Sequence, residues 1–388
     1  MRAVEIIHDL LEPELSAVHS ARVRSVLFGV KALVQSGRLN LSAMGRGVRN
    51  AVAPKHNIKR MDRLLGNPLL HRDLHHFYRA LATILVGTEK HPLVLVDWTE
   101  CGDGFQVLSA ALPRDGRALP FFWESYPEYL LGNRELQFVF LDKLAMLLPV
   151  GCKPIIVTDA GFLTPWFRHA RSLGWHFVGR LPGGVQIRRC DSNEVWKVNE
   201  LYPVAGAGPI DFERCYGTKD SPTEMRVLIG PAWKRTRKPA RRRRPITKEN
   251  MRKKAIRRNK EPWVLCTSLY GISAEAVLRI YTARMQIEEL FRDTKNHRFG
   301  WCFRATFTNS CRRINVYLLL CALGMLALSM LGAACELLGL HKRYQANTAK
   351  RRVLSLFFLG KTLVQRDETD TVHYPGPLNE LLALTEFI

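Results

Sequence analysis

The sequence predicts a mixed α/β protein, in which a strand-rich core with a β-rich insertion is flanked by helical regions at both ends of the chain. Apolar residues recur at helical spacing early in the chain, the pattern changes to short strands from Pro92, and strands then alternate with helices. With 388 residues, 47% of them hydrophobic, the chain can bury a sizeable core and is long enough for two or three domains.

Residues 1–88 are predicted to be helical, with breaks at Gly37 and at Pro54. A short basic helix, His56 to Leu65, follows another helix that begins near Asn40, which is compatible with a helix-turn-helix. A solvated basic face is the alternative interpretation. The residues expected to contact DNA here are Lys59, Arg60 and Arg63.

The central region shows a regular order of strands and helices, in which three strands separated by Gly- and Asp-bearing turns come first. The expected elements are strands Leu93 to Thr99, Phe105 to Leu112 and Arg117 to Tyr126, helix Arg134 to Leu148, strand Lys153 to Phe162, helix Pro165 to Leu173 and strand Trp175 to Leu181. The order β-β-β-α-β-α-β is that of an RNase H-like core.

Short candidate strands with Gly and Pro breaks, such as GVQIRRC (184–190) and MRVLIG (225–230), follow this core and indicate an insertion. The predicted organisation is a helical DNA-binding domain (1–88), the first part of the catalytic core (89–184), a β-rich insertion with a basic loop (185–261), the second part of the core (262–305) and a C-terminal helical region (306–388).

The charge balance points to a polyanionic partner. The 58 Lys and Arg residues exceed the 35 Asp and Glu residues by 23, and this surplus favours nucleic acid, with an anionic membrane surface second. Residues 234–260 hold 15 of the basic residues against the single acid Glu249, so we expect a mobile loop that becomes ordered on phosphate. A merely solubilising loop is the alternative. The densest block is Arg241, Arg242, Arg243 and Arg244.

One apolar stretch raises the question of a membrane. Val316 to Cys335 is 20 residues without a charge, long enough to span a bilayer, but a buried core helix is the favoured interpretation. The first 15 residues carry charges throughout, so no secretory signal is expected. Nine cysteines without a C-x-x-C pair indicate reduced thiols. These features predict a cytoplasmic protein with no membrane association.

Two aspartates share a physical context, because Asp97 and Asp159 each follow an apolar run where a strand leaves the core. A single Asp in such a place is usually a turn residue or a helix cap. Two of them, one on the first strand and one after the first helix of this topology, suggest carboxylates directed at a common edge.

A third carboxylate is selected by helical geometry. The stretch from Ser273, its expected N-cap, to Gly300 has no internal Gly or Pro and predicts one long helix. With Tyr281 as zero and about 100° per residue, Arg284, Glu288 and Lys295 all fall within roughly 60° of one face. Glu289 and Asp293 fall elsewhere, at about 80° and about 120°. A surface salt-bridge stripe is the alternative.

Three convergent carboxylates from Asp97, Asp159 and Glu288 would bind two divalent ions and leave positions open for water and phosphate. Such a centre suits phosphoryl transfer. The neighbouring Tyr281, Arg284 and Lys295 are then expected to hold phosphate.

The chain resembles the cut-and-paste transposases of bacterial insertion sequences that share a DDE triad and a Tyr-x2-Arg-x3-Glu-x6-Lys signature. Tyr281, Arg284, Glu288 and Lys295 match that spacing, and VDWT around Asp97 and VTDAGF around Asp159 resemble the other acidic blocks. The resemblance extends from the N-terminus to about Lys295.

The resemblance implies an enzyme that excises an insertion sequence by nicking, hairpin formation and hairpin opening, and then joins the 3′ ends to target DNA. It implies two Mg²⁺ ions, with Mn²⁺ as a possible substitute, a homodimer on double-stranded DNA carrying the terminal inverted repeats, and action at the nucleoid of a bacterium. Trp263 resembles the aromatic residue that stacks on a flipped base, with a core aromatic as the alternative, and Arg180 ends the similar FVGR segment. A non-catalytic, transposase-derived DNA-binding protein is the alternative function.

Overall fold

A computed structural model describes residues 2–102, 104–114, 116–192, 194–217, 222–231, 261–297 and 300–373. These residues form two compact units, the first made of 2–153 and 283–373 and the second of 154–282. Each unit contains β-strands and helices, so the predicted mixed α/β class is confirmed. The basic stretch 234–260, with the predicted DNA contacts Arg241 to Arg244, lies outside the described residues.

The first unit begins with helices whose limits follow from local capping. These are α1 (Arg2–Leu11), α2 (Ser20–Ser36), α3 (Leu41–Gly47), α4 (Pro54–Leu65) and α5 (Pro68–Val86). Gly37 ends α2 in the left-handed conformation (φ 64°), which glycine adopts without a Cβ penalty. The Asn40 side chain caps α3 by accepting a hydrogen bond from the Ala43 N–H, and Pro54 occupies the first turn of α4. The predicted breaks and helix starts are confirmed.

Three antiparallel strands follow in the first unit, in the spatial order β3-β2-β1. They are β1 (Leu93–Glu100), β2 (Phe105–Arg114) and β3 (Arg117–Pro127), and α6 (Arg134–Leu147) follows them. The meander and helix that the sequence predicts are confirmed, and β1 continues past Asp97 to Glu100, one residue beyond its predicted end at Thr99. Asp97 pairs with Ser109 of β2.

The second unit contains a mixed sheet. Its elements are β4 (Ile155–Thr158), α7 (Thr164–Ser172), β5 (His176–Arg180), β6 (Gln186–Arg189), β7 (Val195–Lys197), β8 (Ile210–Gly217), β9 (Thr223–Ile229), β10 (Val264–Thr267) and α8 (Ala274–Ala283). Strands β4 and β5 are parallel, and the order continues antiparallel as β5-β10-β9-β8-β6-β7. The sequence patterns predicted β6 and β9 but missed β8, whose residues are mostly exposed and polar.

The single long helix predicted from Ser273 to Gly300 is wrong. Ser273 does cap α8, since its Oγ accepts a hydrogen bond from the Ala276 N–H. The helix is then interrupted at Arg284, and α9 (Met285–Lys295) continues in the first unit. Arg284 keeps helical dihedrals (φ −53°, ψ −31°), and its carbonyl accepts a hydrogen bond from the Ile287 N–H, the tighter bonding of a 3₁₀ turn.

The C-terminal region of the first unit contains α10 (Cys311–Leu337) and α11 (Leu356–Gln365). Gly332 and Gly360 allow these two helices to pack closely. A Cβ at Gly332 would lie 2.1 Å from the Leu356 carbonyl oxygen, and a Cβ at Gly360 would lie 2.0 Å from the Leu328 carbonyl oxygen. Helix α10 is the one described helix long and apolar enough to cross a membrane, and 83% of its apolar stretch is buried inside the protein. It therefore packs as the core helix that the sequence favoured.

Candidate active site

Asp97 lies on a buried strand of the first unit, because the apolar residues before it draw β1 into the core. Only 8% of the residue is exposed. Its Oδ1 accepts a hydrogen bond from the Trp98 N–H at 2.8 Å, and its Oδ2 accepts one from Arg284 Nη1 at 3.1 Å. A buried carboxylate needs such donors, since burial without them is costly.

Arg284 connects Asp97 to the second predicted acid of this unit. Its Nη1 also lies 3.3 Å from Glu288 Oε1, one helical turn further along the chain. The Arg284 and Asp97 side chains are 12% and 11% exposed, whereas Glu288 is 48% exposed. One guanidinium nitrogen therefore bridges a buried carboxylate and an accessible one.

The acids near Glu288 face a different cation. Arg117 of β3 lies 3.2 Å from Glu289 and 3.1 Å from Asp293, measured from its guanidinium nitrogens to the carboxylate oxygens. Burial raises the pKa of the Asp293 carboxyl, and the charge of Arg117 partly opposes that shift. Of Glu288, Glu289 and Asp293 on α9, Glu288 is thus the acid that contacts Arg284 together with Asp97. The helical spacing predicts this pairing of Glu288 with Arg284.

Lys295 lies at the end of α9, half-buried, with its Nζ 5.7 Å from the Phe291 ring centroid. Burial lowers the pKa of Lys295, and the negative charge of Glu100 partly offsets this. Glu100 ends β1 and accepts a hydrogen bond from Arg304 Nη2 at 2.6 Å. No sequence pattern predicts this ion pair, because its partners are 204 residues apart.

Asp159 belongs to the second unit and directly follows β4, as predicted. Its Oδ1 accepts a hydrogen bond from the Gly161 N–H at 2.7 Å. A Cβ on residue 161 would lie only 3.0 Å from that same oxygen, so the glycine allows the backbone to approach the carboxylate. The VTDAGF segment therefore holds the Asp159 side chain by its own turn.

The remaining signature residue, Tyr281, lies in the second unit with Trp263 and Arg180. The rings of Tyr281 and Trp263 meet edge to face, with centroids 4.8 Å apart at 72°. Tyr281 is 2% exposed, whereas Trp263, just before β10, is partly exposed. Arg180 ends β5 with its Nη2 3.8 Å from Glu261 Oε2. Tyr281 thus packs against the side of the tryptophan.

The predicted DNA contacts of the N-terminal region lie on α4, where Lys59, Arg60 and Arg63 are all exposed. The Arg60 guanidinium lies 3.6 Å from the Phe28 ring centroid, so its position is fixed by a cation-π contact. Helices α3 and α4 are the two helices that the helix-turn-helix prediction requires.

The pair Asp97 and Glu288 fits a divalent ion by its chemistry. Mg²⁺ is usually bound by one or two carboxylates together with water and phosphate oxygens. Arg284 Nη1 contacts both carboxylates, so the two lie close enough to share one cation. Among the described residues no group of three His, Cys, Asp or Glu side chains forms a metal-binding cluster by itself.

Comparison with protein families identifies the central part of the chain, because residues 134–325 match the family described as "Transposase DDE domain". This part of the chain is similar to the transposase DDE domain family. The matched range includes Asp159 and Glu288, and Asp97 precedes it. A comparison with curated proteins finds no match.

The DDE domain confirms the RNase H-like fold class that the order of strands predicts. It also makes DNA the partner that the basic charge surplus indicates. Transposases with this domain generally use divalent metal ions, which agrees with the carboxylate pair on β1 and α9.

Proposed function

We propose that this DDE transposase excises an insertion sequence with Asp97, Asp159 and Glu288 as its acidic triad. The observation that carries the proposal is the convergence of Asp97 and Glu288 on Arg284, from a strand and a helix far apart in sequence. A surface salt-bridge stripe would not need a partner that is 8% exposed on a neighbouring strand.

The proposed ions are two Mg²⁺, with Mn²⁺ as a substitute. When bound, such ions activate an oxygen nucleophile and stabilise the oxygen that leaves phosphorus. The carboxylates of Asp97, Asp159 and Glu288 would hold them. Arg284 offers a planar fork and Lys295 a point charge for the phosphate being attacked.

The proposed reaction follows the resemblance to the hairpin-forming group. Water cleaves one strand at each end of the element, and the freed 3′ hydroxyl attacks the opposite strand to give a hairpin. Water then opens the hairpin, and the 3′ ends are joined to target DNA. Two ends must be held together for this, so we propose a homodimer on DNA, acting at the nucleoid in the bacterial cytosol.

Trp263 is proposed to stack on the base that is extruded when the hairpin forms. Its partial exposure and its edge-to-face contact with buried Tyr281 support this role, because the contact restrains the indole while leaving part of it accessible. The exposed cations of α4 and the block Arg241 to Arg244 are proposed as further DNA contacts.

The test is a cleavage assay on a plasmid that carries the inverted repeats flanking the gene, with Mg²⁺ present. Wild-type protein should nick the repeat ends and produce hairpins, which run on denaturing gels as strands of doubled length. Asp97→Ala should lose both products while still binding DNA. Equal behaviour of Asp97→Ala and wild type would instead support a non-catalytic DNA-binding protein.

A further inference from the structure

The Arg284 guanidinium contacts the two carboxylates of the first unit that are proposed to hold metal ions. Its Nη1 contacts Asp97 Oδ2 at 3.1 Å and Glu288 Oε1 at 3.3 Å, and its side chain is 12% exposed. The other oxygen of Asp97 already accepts the Trp98 N–H. The guanidinium and the Trp98 N–H therefore contact different oxygens of Asp97.

We infer that Arg284 excludes divalent ions from Asp97 and Glu288 until DNA is bound, so that metal binding and DNA binding are coupled. The inference rests on the proposed function, since it assumes that these carboxylates are metal ligands. A guanidinium and a divalent ion compete for the same oxygens and repel each other, and this repulsion is strong where water is largely excluded. Metal binding without DNA is then opposed by a cation already in place.

DNA supplies the missing partner for the displaced arginine. A phosphate group accepts the planar fork of a guanidinium as well as a carboxylate does. When Arg284 turns to a backbone phosphate and the carboxylates take up the ion, every charge keeps an opposite partner. By thermodynamic linkage, DNA must then raise the affinity for metal by the factor by which metal raises the affinity for DNA.

The backbone at this residue is compatible with such an exchange. Arg284 falls between α8 and α9 and belongs to neither helix, and the connection between the two compact units runs through Thr282 and Ala283 just before it. A reoriented side chain here leaves the hydrogen bonds of both helices intact.

The test is a titration with Mn²⁺ of the full chain without DNA, followed by electron paramagnetic resonance of the free ion. Arg284→Met should bind Mn²⁺ at least about ten-fold more tightly than wild type, because the competing cation is gone. Arg284→Gln provides a second variant, and circular dichroism checks that each is folded. The matched control is Arg292→Met, which removes one charge from α9, the helix that follows Arg284, at a residue that is 64% exposed and paired with Glu289.

A second arm adds a duplex with the inverted-repeat end. The duplex should tighten Mn²⁺ binding to wild type and have a much smaller effect on Arg284→Met. Equal Mn²⁺ affinity of wild type and both Arg284 variants without DNA would overturn the inference. The proposed function fails separately if Asp97→Asn leaves Mn²⁺ binding to the DNA complex unchanged.

Discussion

Substitution of Glu288 should reduce DNA cleavage, whereas substitution of its neighbour Glu289 on α9 should reduce the stability of the fold. Glu288 contacts Arg284, which also contacts Asp97, whereas Glu289 lies 3.2 Å from Arg117 and 2.6 Å from Arg292. Replacing either by glutamine keeps the size of the side chain and removes one negative charge. The two substitutions therefore make the same chemical change at residues with different contacts and different exposure, 48% for Glu288 and 24% for Glu289.

The expected magnitudes follow from these contacts. A metal ion stabilises the transition state by several kcal/mol, so loss of the ligand in Glu288→Gln should reduce cleavage by at least about 100-fold. Its effect on the free energy of unfolding should stay within about 0.5 kcal/mol, because the side chain is 48% exposed and its partner Arg284 keeps the contact with Asp97. Glu289→Gln should lower the free energy of unfolding by about 1 kcal/mol and leave cleavage within about two-fold of wild type.

Both quantities can be measured on the same preparations. Cleavage is followed on plasmid DNA with the inverted repeats and Mg²⁺, and the free energy of unfolding is measured by urea denaturation. Binding of the repeat DNA should remain in both variants, since the phosphate contacts are retained. Equal loss of cleavage in the two variants would refute the assignment of Glu288 by its helix face.

Three further predictions concern other parts of the chain. Gly161→Ala should reduce cleavage about ten-fold, because the added Cβ would lie 3.0 Å from an Asp159 oxygen and displace the carboxylate. The control is Gly271→Ala, which should cleave DNA normally because a Cβ at Gly271 meets nothing within 4 Å. Burial lowers the pKa of Lys361 to about 8, so between pH 8 and about 10.5 the unfolded chain binds this proton more tightly than the folded chain does. Burial raises the pKa of thiols such as Cys101 and Cys266, which act in the opposite direction over the same range, so the measured quantity is the difference between wild type and Lys361→Met. In urea denaturation this difference in the free energy of unfolding should change by about 3 kcal/mol in favour of wild type as the pH rises through that range. Neutralising Arg241 to Arg244 should weaken binding to all DNA sequences and flatten its salt dependence in filter-binding assays, and an unchanged salt slope would leave the block with a solubilising role.

The elements of the core could be predicted from the sequence because local signals and packing agree there. Strands β1 to β3 are runs of buried residues bounded by Gly- and Asp-bearing turns, and α6 starts at a residue capped by the side chain of Asn133. Such signals lie within a few residues of the element that they define. The predicted limits accordingly differ from the observed ones by at most a few residues.

Strand β8 of the insertion and the helix interruption could not be predicted, because their causes lie far away in sequence. Strand β8 is exposed over most of its length and is defined by its pairing with β9 and β6. The interruption at Arg284 has no Gly or Pro to announce it, and the residue's side chain bonds to a strand 187 residues earlier. Periodicity detects the face that a residue lies on and gives no information on whether the hydrogen-bond ladder continues past it.

In the acidic site, likewise, the sequence predicts which residues lie close together but not which group Arg284 binds. The interval between Arg284 and Glu288 is one helical turn, so their proximity follows from sequence alone. The anion that Arg284 contacts cannot be predicted from the sequence, because a guanidinium binds carboxylate and phosphate through the same pair of N–H donors. The sequence predicts phosphate as the partner of Arg284, and in the structure its partners include the carboxylates of Asp97 and Glu288. Both assignments are compatible if the partner depends on what is bound, since the loss of either anion leaves a largely buried cation that must find the other.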